Sequence, residues 1–184
     1  MPLVLSPPTF ADTAALLAFE LENRVFFESY INARLASYYS EQGVTEAIGN
    51  ALADAAHDRG YQYLLRDESG TLVARVNLSA VKRAHFHFAS LGYRVAQSAA
   101  GKGYASEAVR QIVELAFGVL SLSRLEADAR AENVGSVRVL TRNGFTQYGH
   151  SRRSFELAGT WYDRLHFELH AAGSRNQLIK QGSL

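Results

Sequence analysis

Residues 99–120 read AAGKGYASEAVRQIVELAFGVL, a glycine-x-glycine turn that runs directly into a helix. Ala105, Ala108, Val109, Ile112, Val113, Ala116, Phe117 and Leu120 recur at three- and four-residue spacing and predict a core-facing stripe. Glu107, Arg110, Gln111 and Glu114 fall on the other side, with Arg110 and Glu114 in i,i+4 relation. A helix start after such a turn presents unpaired amides and the positive end of the helix dipole, which suits phosphate. Two common phosphate loops do not fit. A Walker A loop needs an upstream glycine at a fixed spacing and a Ser or Thr after Gly-Lys, whereas Lys102 is followed by Gly103. A dinucleotide fingerprint needs a third glycine and a parallel β-α-β unit near the N-terminus. What remains is a pyrophosphate cradle or an ordinary glycine-rich turn, and the loop alone does not separate them.

Upstream of the loop, residues 3–5 predict a short strand ended by Pro7-Pro8, and Thr9 or Asp12 can cap a helix carrying Ala14, Leu16, Leu17 and Phe19. Two more helical stretches are expected, RVFFESYINARL at 24–35 and residues 45–58. YQYLLRD and TLVARVNLSAV then predict a β-hairpin around residues 67–70. In its second strand Leu72, Ala74, Val76 and Leu78 face one way and Val73, Arg75, Asn77 and Ser79 the other. HFHFASLGYRV, residues 85–95, predicts a third strand that places His85 and His87 on one face.

Downstream, RLEADAR alternates Leu125, Ala127 and Ala129 with charged residues, as a half-covered strand does. Asn133 can cap a short helix reaching Thr141, which Asn143-Gly144 would end through a left-handed cap. FTQYGHSRRSFEL and TWYDRLHFELH predict a closing hairpin about Ala158-Gly159. The expected class is α/β, with a mixed, mostly antiparallel sheet and flanking helices.

At 184 residues the chain fits one domain, expected over residues 1–172, with a polar tail at 173–184. Its 47% hydrophobic residues and net charge of +1 predict a soluble protein with no direct nucleic-acid or membrane binding. The absence of cysteine excludes disulfides, thiolate metal sites and a covalent cysteine nucleophile. The N-terminus lacks the basic region of a signal peptide and no apolar run approaches the ~18 residues of a membrane span, so a cytoplasmic location is expected.

LGYRVAQSAAGKGYASEAV, followed by ENVGSVRVLTRNGF, resembles the GCN5-related N-acetyltransferase (GNAT) family, and within it the ribosomal-protein alanine N-acetyltransferases. FELENRVFFESYI and ARVNLSAV extend the resemblance over nearly the whole chain. It implies a GNAT fold with a splay between two central strands, and acetyl-CoA as cosubstrate with no metal. The family's Gln/Arg-x-x-Gly-x-Gly/Ala motif falls on Ala100, Gly101, Lys102, Gly103, Tyr104 and Ala105, and Ala100 replaces the usual polar side chain. By the same resemblance Arg94, Val95 and Ala96 would meet the pantetheine arm through their backbone, and Asn133 would contact it further along. Ser136 would approach the sulfur as proton donor, with Tyr148 the weaker candidate, and an amide near Val95 would hold the oxyanion.

An acidic base often stands on the strand before the loop in relatives, but Ser90 occupies that place here. Glu28, His87 and an ordered water are the alternatives. His85 and His87 have no evident third ligand, so no metal site is expected. Phe26-Phe27 line either the acceptor cleft or the core, and Arg152-Arg153 are read as solvated. The expected acceptor is a protein N-terminal α-amine. A small-molecule amine and a non-catalytic acyl-CoA sensor are the alternatives, and either a monomer or a homodimer is compatible.

Overall fold

Asp67 sets the first hairpin, because its carboxylate accepts the Ser69 and Thr71 amides at 3.0 Å each while Gly70 takes a left-handed φ of 80°. The computed structural model describes residues 3–172, and the polar tail expected beyond them lies outside that range. The elements are β1 (Val4–Ser6), α1 (Thr13–Glu22), α2 (Arg24–Glu28), α3 (Glu41–Ala56), β2 (Tyr61–Arg66), β3 (Leu72–Lys82), β4 (Phe88–Val95), α4 (Tyr104–Gly118), β5 (Arg124–Arg130), α5 (Val134–Arg142), β6 (Thr146–Leu157) and β7 (Thr160–His170).

The strands form one seven-stranded sheet in the order β1-β2-β3-β4-β5-β7-β6. Every neighbouring pair is antiparallel except β4 and β5, which α4 joins as a crossover. Their parallel ladder runs only from Phe88↔Arg124 to Leu91↔Ala127. Beyond Leu91 and Ala127 the two strands part, and the expected splay lies there. Ala158 and Gly159, with φ of 48° and 78°, close the β6-β7 hairpin.

Apolar alternation places the core. Ala74, Val76, Leu78, Ala89 and Leu125 are buried with Ala108, Val109, Ile112 and Ala116 of α4. Leu16 and Phe19 of α1 and Val44 and Ile48 of α3 cover the other face of the sheet. The sheet is thus sandwiched between α1–α3 and α4–α5.

Three expectations are corrected. The second helical stretch ends at Glu28, where Ser29 Oγ turns back to the Phe26 carbonyl at 2.7 Å. The third starts at Glu41, because the Ser40 hydroxyl caps it through the Gly43 amide at 3.0 Å. His85 and His87 lie in a turn, with φ of 64° and 44°, and do not share a strand face. Arg83 holds that turn in place, reaching Asp58 Oδ1 at 2.7 Å and the Leu120 carbonyl at 2.6 Å.

Candidate active site

The site starts from the parting of β4 and β5. Val95 faces Ala74 across the β3-β4 ladder, and the Ala96 amide donates to the Val73 carbonyl at 2.9 Å. Hydrogen bonding alternates along an antiparallel pair, so Arg94 and Ala96 spend their backbone groups on β3 while Tyr93 and Val95 turn theirs toward the gap. Of the three residues expected to meet the pantetheine arm by backbone, Val95 is the one whose amide points there. The Arg94 side chain goes instead to Glu20 Oε2, at 2.9 Å.

The loop follows directly. Buried Ala96 and Ala99 anchor it, Gly101 and Gly103 have φ of 75° and 84°, and Gly103 is the N-cap of α4. The Glu107 amide closes the first helical bond onto Gly103, at 3.0 Å, which leaves the Tyr104, Ala105 and Ser106 amides outside the intrahelical ladder. A Cβ added at Gly101 or Gly103 would project into open space. Positive φ, not internal crowding, selects these glycines, and the open volume over the amides fits a pyrophosphate. Ala100 adds no polar group to that cradle.

Across the gap, Asn133 Oδ1 accepts the Ser136 amide at 3.0 Å and starts α5. The cap aims Ser136 back at the sheet, where its Oγ lies 2.8 Å from the Tyr93 hydroxyl. Burial pushes the Tyr93 phenol up to about 12, opposed in part by that hydrogen bond. Tyr93 was not singled out from the sequence, although it stands two residues before Val95 and therefore points the same way. Tyr148 lies on β6, half exposed, with its ring 6.0 Å from His166.

On the opposite face, buried Glu20 bonds Arg75 at 2.8 Å and Arg94 at 2.9 Å, and Arg34 lies 3.6 Å away. Arg75 also donates to the Tyr38 hydroxyl at 2.9 Å and to Gln62 at 2.6 Å. This network ties α1 to β3 and β4 beneath the splay. Arg130, at the end of β5, donates to the Ser29 carbonyl at 3.3 Å and lies 4.0 Å over the Tyr162 ring. The end of α2 therefore stands beside the mouth of the gap. Phe27 is core, packed on Phe19 at 5.4 Å, whereas Phe26 meets Tyr30 edge-on at 5.5 Å.

The base candidates fare differently. Glu28 is bonded by Arg24 at 2.8 Å and by the Tyr39 hydroxyl at 3.2 Å, and the Arg24 hydrogen bond holds its carboxyl below the usual range. His87 precedes the closed end of the β4-β5 ladder, eight residues before Val95, a span of about 26 Å of strand. Ser90 sits within the β3-β4-β5 pairing and supplies a hydroxyl, not a carboxylate.

A parted parallel pair, an amide turned toward the gap and a glycine turn at the start of the following helix together make an arrangement that can receive an extended thioester. The family model of the acetyltransferase (GNAT) domain matches residues 2–146. The chain belongs to the GNAT acetyltransferase family. It is an acyltransferase with acetyl-CoA as its cosubstrate. The probable N-acetyltransferase YjcK of Bacillus subtilis is 32% identical over 162 residues, covering 88% of this chain and 90% of the relative. The [ribosomal protein uS5]-alanine N-acetyltransferase of Escherichia coli is 26% identical, over 84% of this chain and 80% of its own length. The structure of Mycobacterium smegmatis RimJ in complex with CoA-disulfide superposes with a TM-score of 0.84 at 26% identity, covering 92% of this chain and 82% of that one.

Proposed function

We propose that this GNAT enzyme acetylates the α-amine of a protein N-terminus by direct attack on acetyl-CoA within a ternary complex. The Gly101–Ala105 loop and the first amides of α4 hold the pyrophosphate, Val95 and Asn133 line the arm, and the Val95 amide faces the thioester oxygen as negative charge develops on it. Tyr93 and Ser136 face the departing sulfur. Proton transfer from a phenol at about 12 to an ordinary thiolate, near 8.5, is uphill by about 5 kcal/mol. The hydroxyl pair therefore stabilises the sulfur by hydrogen bonding, and water supplies the proton.

The observation that carries the acceptor assignment is the state of Glu28. A carboxylate bound to Arg24 and held below its usual range is a poor base. An α-amine titrates near ~8 and a lysine near ~10.4, a difference of roughly 3 kcal/mol in deprotonation at neutral pH. A site without a strong carboxylate base suits the first and not the second. Similarity to the uS5-alanine enzyme supports the same assignment.

The test is CoA release with acetyl-CoA and three acceptor sets: peptides with a free N-terminal alanine, the same peptides blocked at the N-terminus but carrying an internal lysine, and small polyamines. Turnover is expected on the first set. Turnover confined to polyamines, or equal on blocked and free peptides, overturns the assignment.

A further inference from the structure

Arg94 and Arg130 stand at one level on the two sides of the gap. Each lies three residues past the last rung of the parallel ladder, Leu91↔Ala127, so that register, continued, sets the two arginines opposite one another. An odd step also turns both side chains away from the face of buried Leu91 and Ala127 and onto the α1-α2 face. The contacts agree: Arg94 reaches Glu20 of α1 at 2.9 Å, and Arg130 reaches the Ser29 carbonyl, just after α2, at 3.3 Å. A guanidinium on each strand therefore flanks the mouth of the gap.

That face holds more cation than anion. Arg34, Arg75 and Arg94 gather about one carboxylate, Glu20, and Arg75 and Arg94 take its hydrogen bonds at 2.8 and 2.9 Å. Arg34 stays 3.6 Å away and lies 4.2 Å over the Tyr38 ring. Burial lowers the Arg94 guanidinium from its ordinary value; Glu20 opposes this, and Arg34 and Arg75 add to it. Acids of the surrounding elements are engaged elsewhere, Glu28 by Arg24 and Asp128 by Arg164 and His166. Glu132 meets Arg130 only at 3.9 Å and is more than half exposed. The whole chain carries a net charge of +1, so the excess is local.

Some of these guanidinium donors are unspent. Arg130 gives Nη1 to Ser29, and the rings of Tyr162 at 4.0 Å and Tyr30 at 5.7 Å hold its plane. The Nε atoms of Arg34, Arg75 and Arg130 are buried and have no hydrogen-bond partner among the described residues. Buried donors are as a rule paired, and a guanidinium edge is complemented by a carboxylate, which accepts two parallel bonds. Arg34 and Arg130 keep 27% and 14% of their side chains exposed, and Glu20 satisfies neither. A lysine or a polyamine entering here would meet like charge instead.

We propose that Arg130 and Arg34 bind a carboxylate of the acceptor, so that the enzyme selects N-termini with Asp or Glu at the second or third position. This rests on the α-amine reading above and gives it a sequence preference. With the amine at the thioester beside the Val95 amide, the following residues advance about 3.5 Å each along the α1-α2 side. An acidic side chain one or two residues in then falls beside the arginine that shares the level of Arg94. Arg130 and Arg34 set specificity and touch none of the reacting atoms.

The test measures kcat and KM on peptides with a free N-terminal alanine that differ only in Glu, Gln or Lys at the second or the third position. Wild type is expected to favour Glu over Gln at least tenfold in kcat/KM at one of the two positions, chiefly through KM, and to rank Lys last. The preference should weaken as salt is raised. In Arg130→Gln the Glu-to-Gln ratio should fall to within about twofold of unity, Arg130→Lys should keep part of it, and Arg34→Gln should reduce it. A merely structural defect lowers the Glu and Gln peptides together and leaves their ratio where it was, and Arg34→Gln decides the matter if Arg130→Gln does not fold. Peptides acetylated without preference for Glu, or a ratio unchanged in both glutamine variants, overturn the proposal. Turnover of free aspartate or glutamate in place of any peptide keeps the carboxylate contact and overturns instead the N-terminus reading on which the preference rests.

Discussion

Asn23 Oδ1 accepts the Gln97 amide at 2.8 Å and so joins the α1-α2 junction to the first residue of the cradle's entry turn. Its Nδ2 donates to the Phe19 carbonyl, also at 2.8 Å, and the side chain is buried. One carboxamide thus couples the α1-α2 junction to the loop proposed to hold the cosubstrate. Asn23→Ala leaves the part-buried Gln97 amide without its acceptor, while the Phe19 carbonyl keeps the backbone amide of residue 23 at 3.3 Å, at a cost of about 1–3 kcal/mol. Urea unfolding is expected to show that loss, and calorimetry a weaker acetyl-CoA affinity. Stability falling with affinity unchanged would mean that the loop holds its shape without Asn23.

Gly103→Asp separates binding from folding. The residue sits at φ 84° with open space around its missing Cβ, so an aspartate meets no clash and incurs about 1–2 kcal/mol of left-handed backbone strain. Its carboxylate stands at the helix N-terminus, where it competes for the amides that would hold pyrophosphate. Acetyl-CoA affinity should fall at least tenfold, while circular dichroism retains the native spectrum. Unchanged affinity would remove the loop from the site.

The loop and α4 were legible because glycine placement and a long helical stripe are local signals, as were the Asn133 cap and the Ala158-Gly159 hairpin. The alternation in HFHF misled because Arg83 anchors that segment to Asp58 and Leu120, contacts made by residues distant in the chain. The Tyr93-Ser136 pair depends on how β4 and β5 part, and the level that Arg94 shares with Arg130 depends on the register of those two strands. Local pattern predicts strands but not which residues they set opposite one another. Glu28 is intermediate: its i,i+4 spacing to Arg24 is visible in the sequence, while the Tyr39 contact is not.

Glu20→Gln should destabilise the protein strongly. The carboxylate is 1% exposed and counters Arg75, Arg94 and Arg34, so its removal leaves three guanidinium groups crowded without an anion. Breaking a buried pair in this way costs about 3–5 kcal/mol. Thermal unfolding is the measurement, and a melting temperature within a few degrees of wild type would show that the arginines repack into solvent.

Tyr93→Phe tests the hydroxyl proposed to face the sulfur in two ways. A hydrogen bond to a developing thiolate is worth about 1.5–3 kcal/mol, so kcat should fall about 10- to 100-fold with little change in acetyl-CoA affinity. The alkaline limb of stability supplies the second readout. Burial raises the folded phenol to about 12 from an unfolded value near 10, so the folded state favours the protonated form. That contribution is present in full below about pH 10 and is lost as pH rises to about 12. Across this window wild type should lose about 3 kcal/mol that the phenylalanine variant, having no proton to release, retains. Parallel alkaline unfolding curves for the two proteins would show that Tyr93 ionises as freely in the folded chain as in the unfolded one, and would take away the basis for a neutral hydroxyl donor at the sulfur.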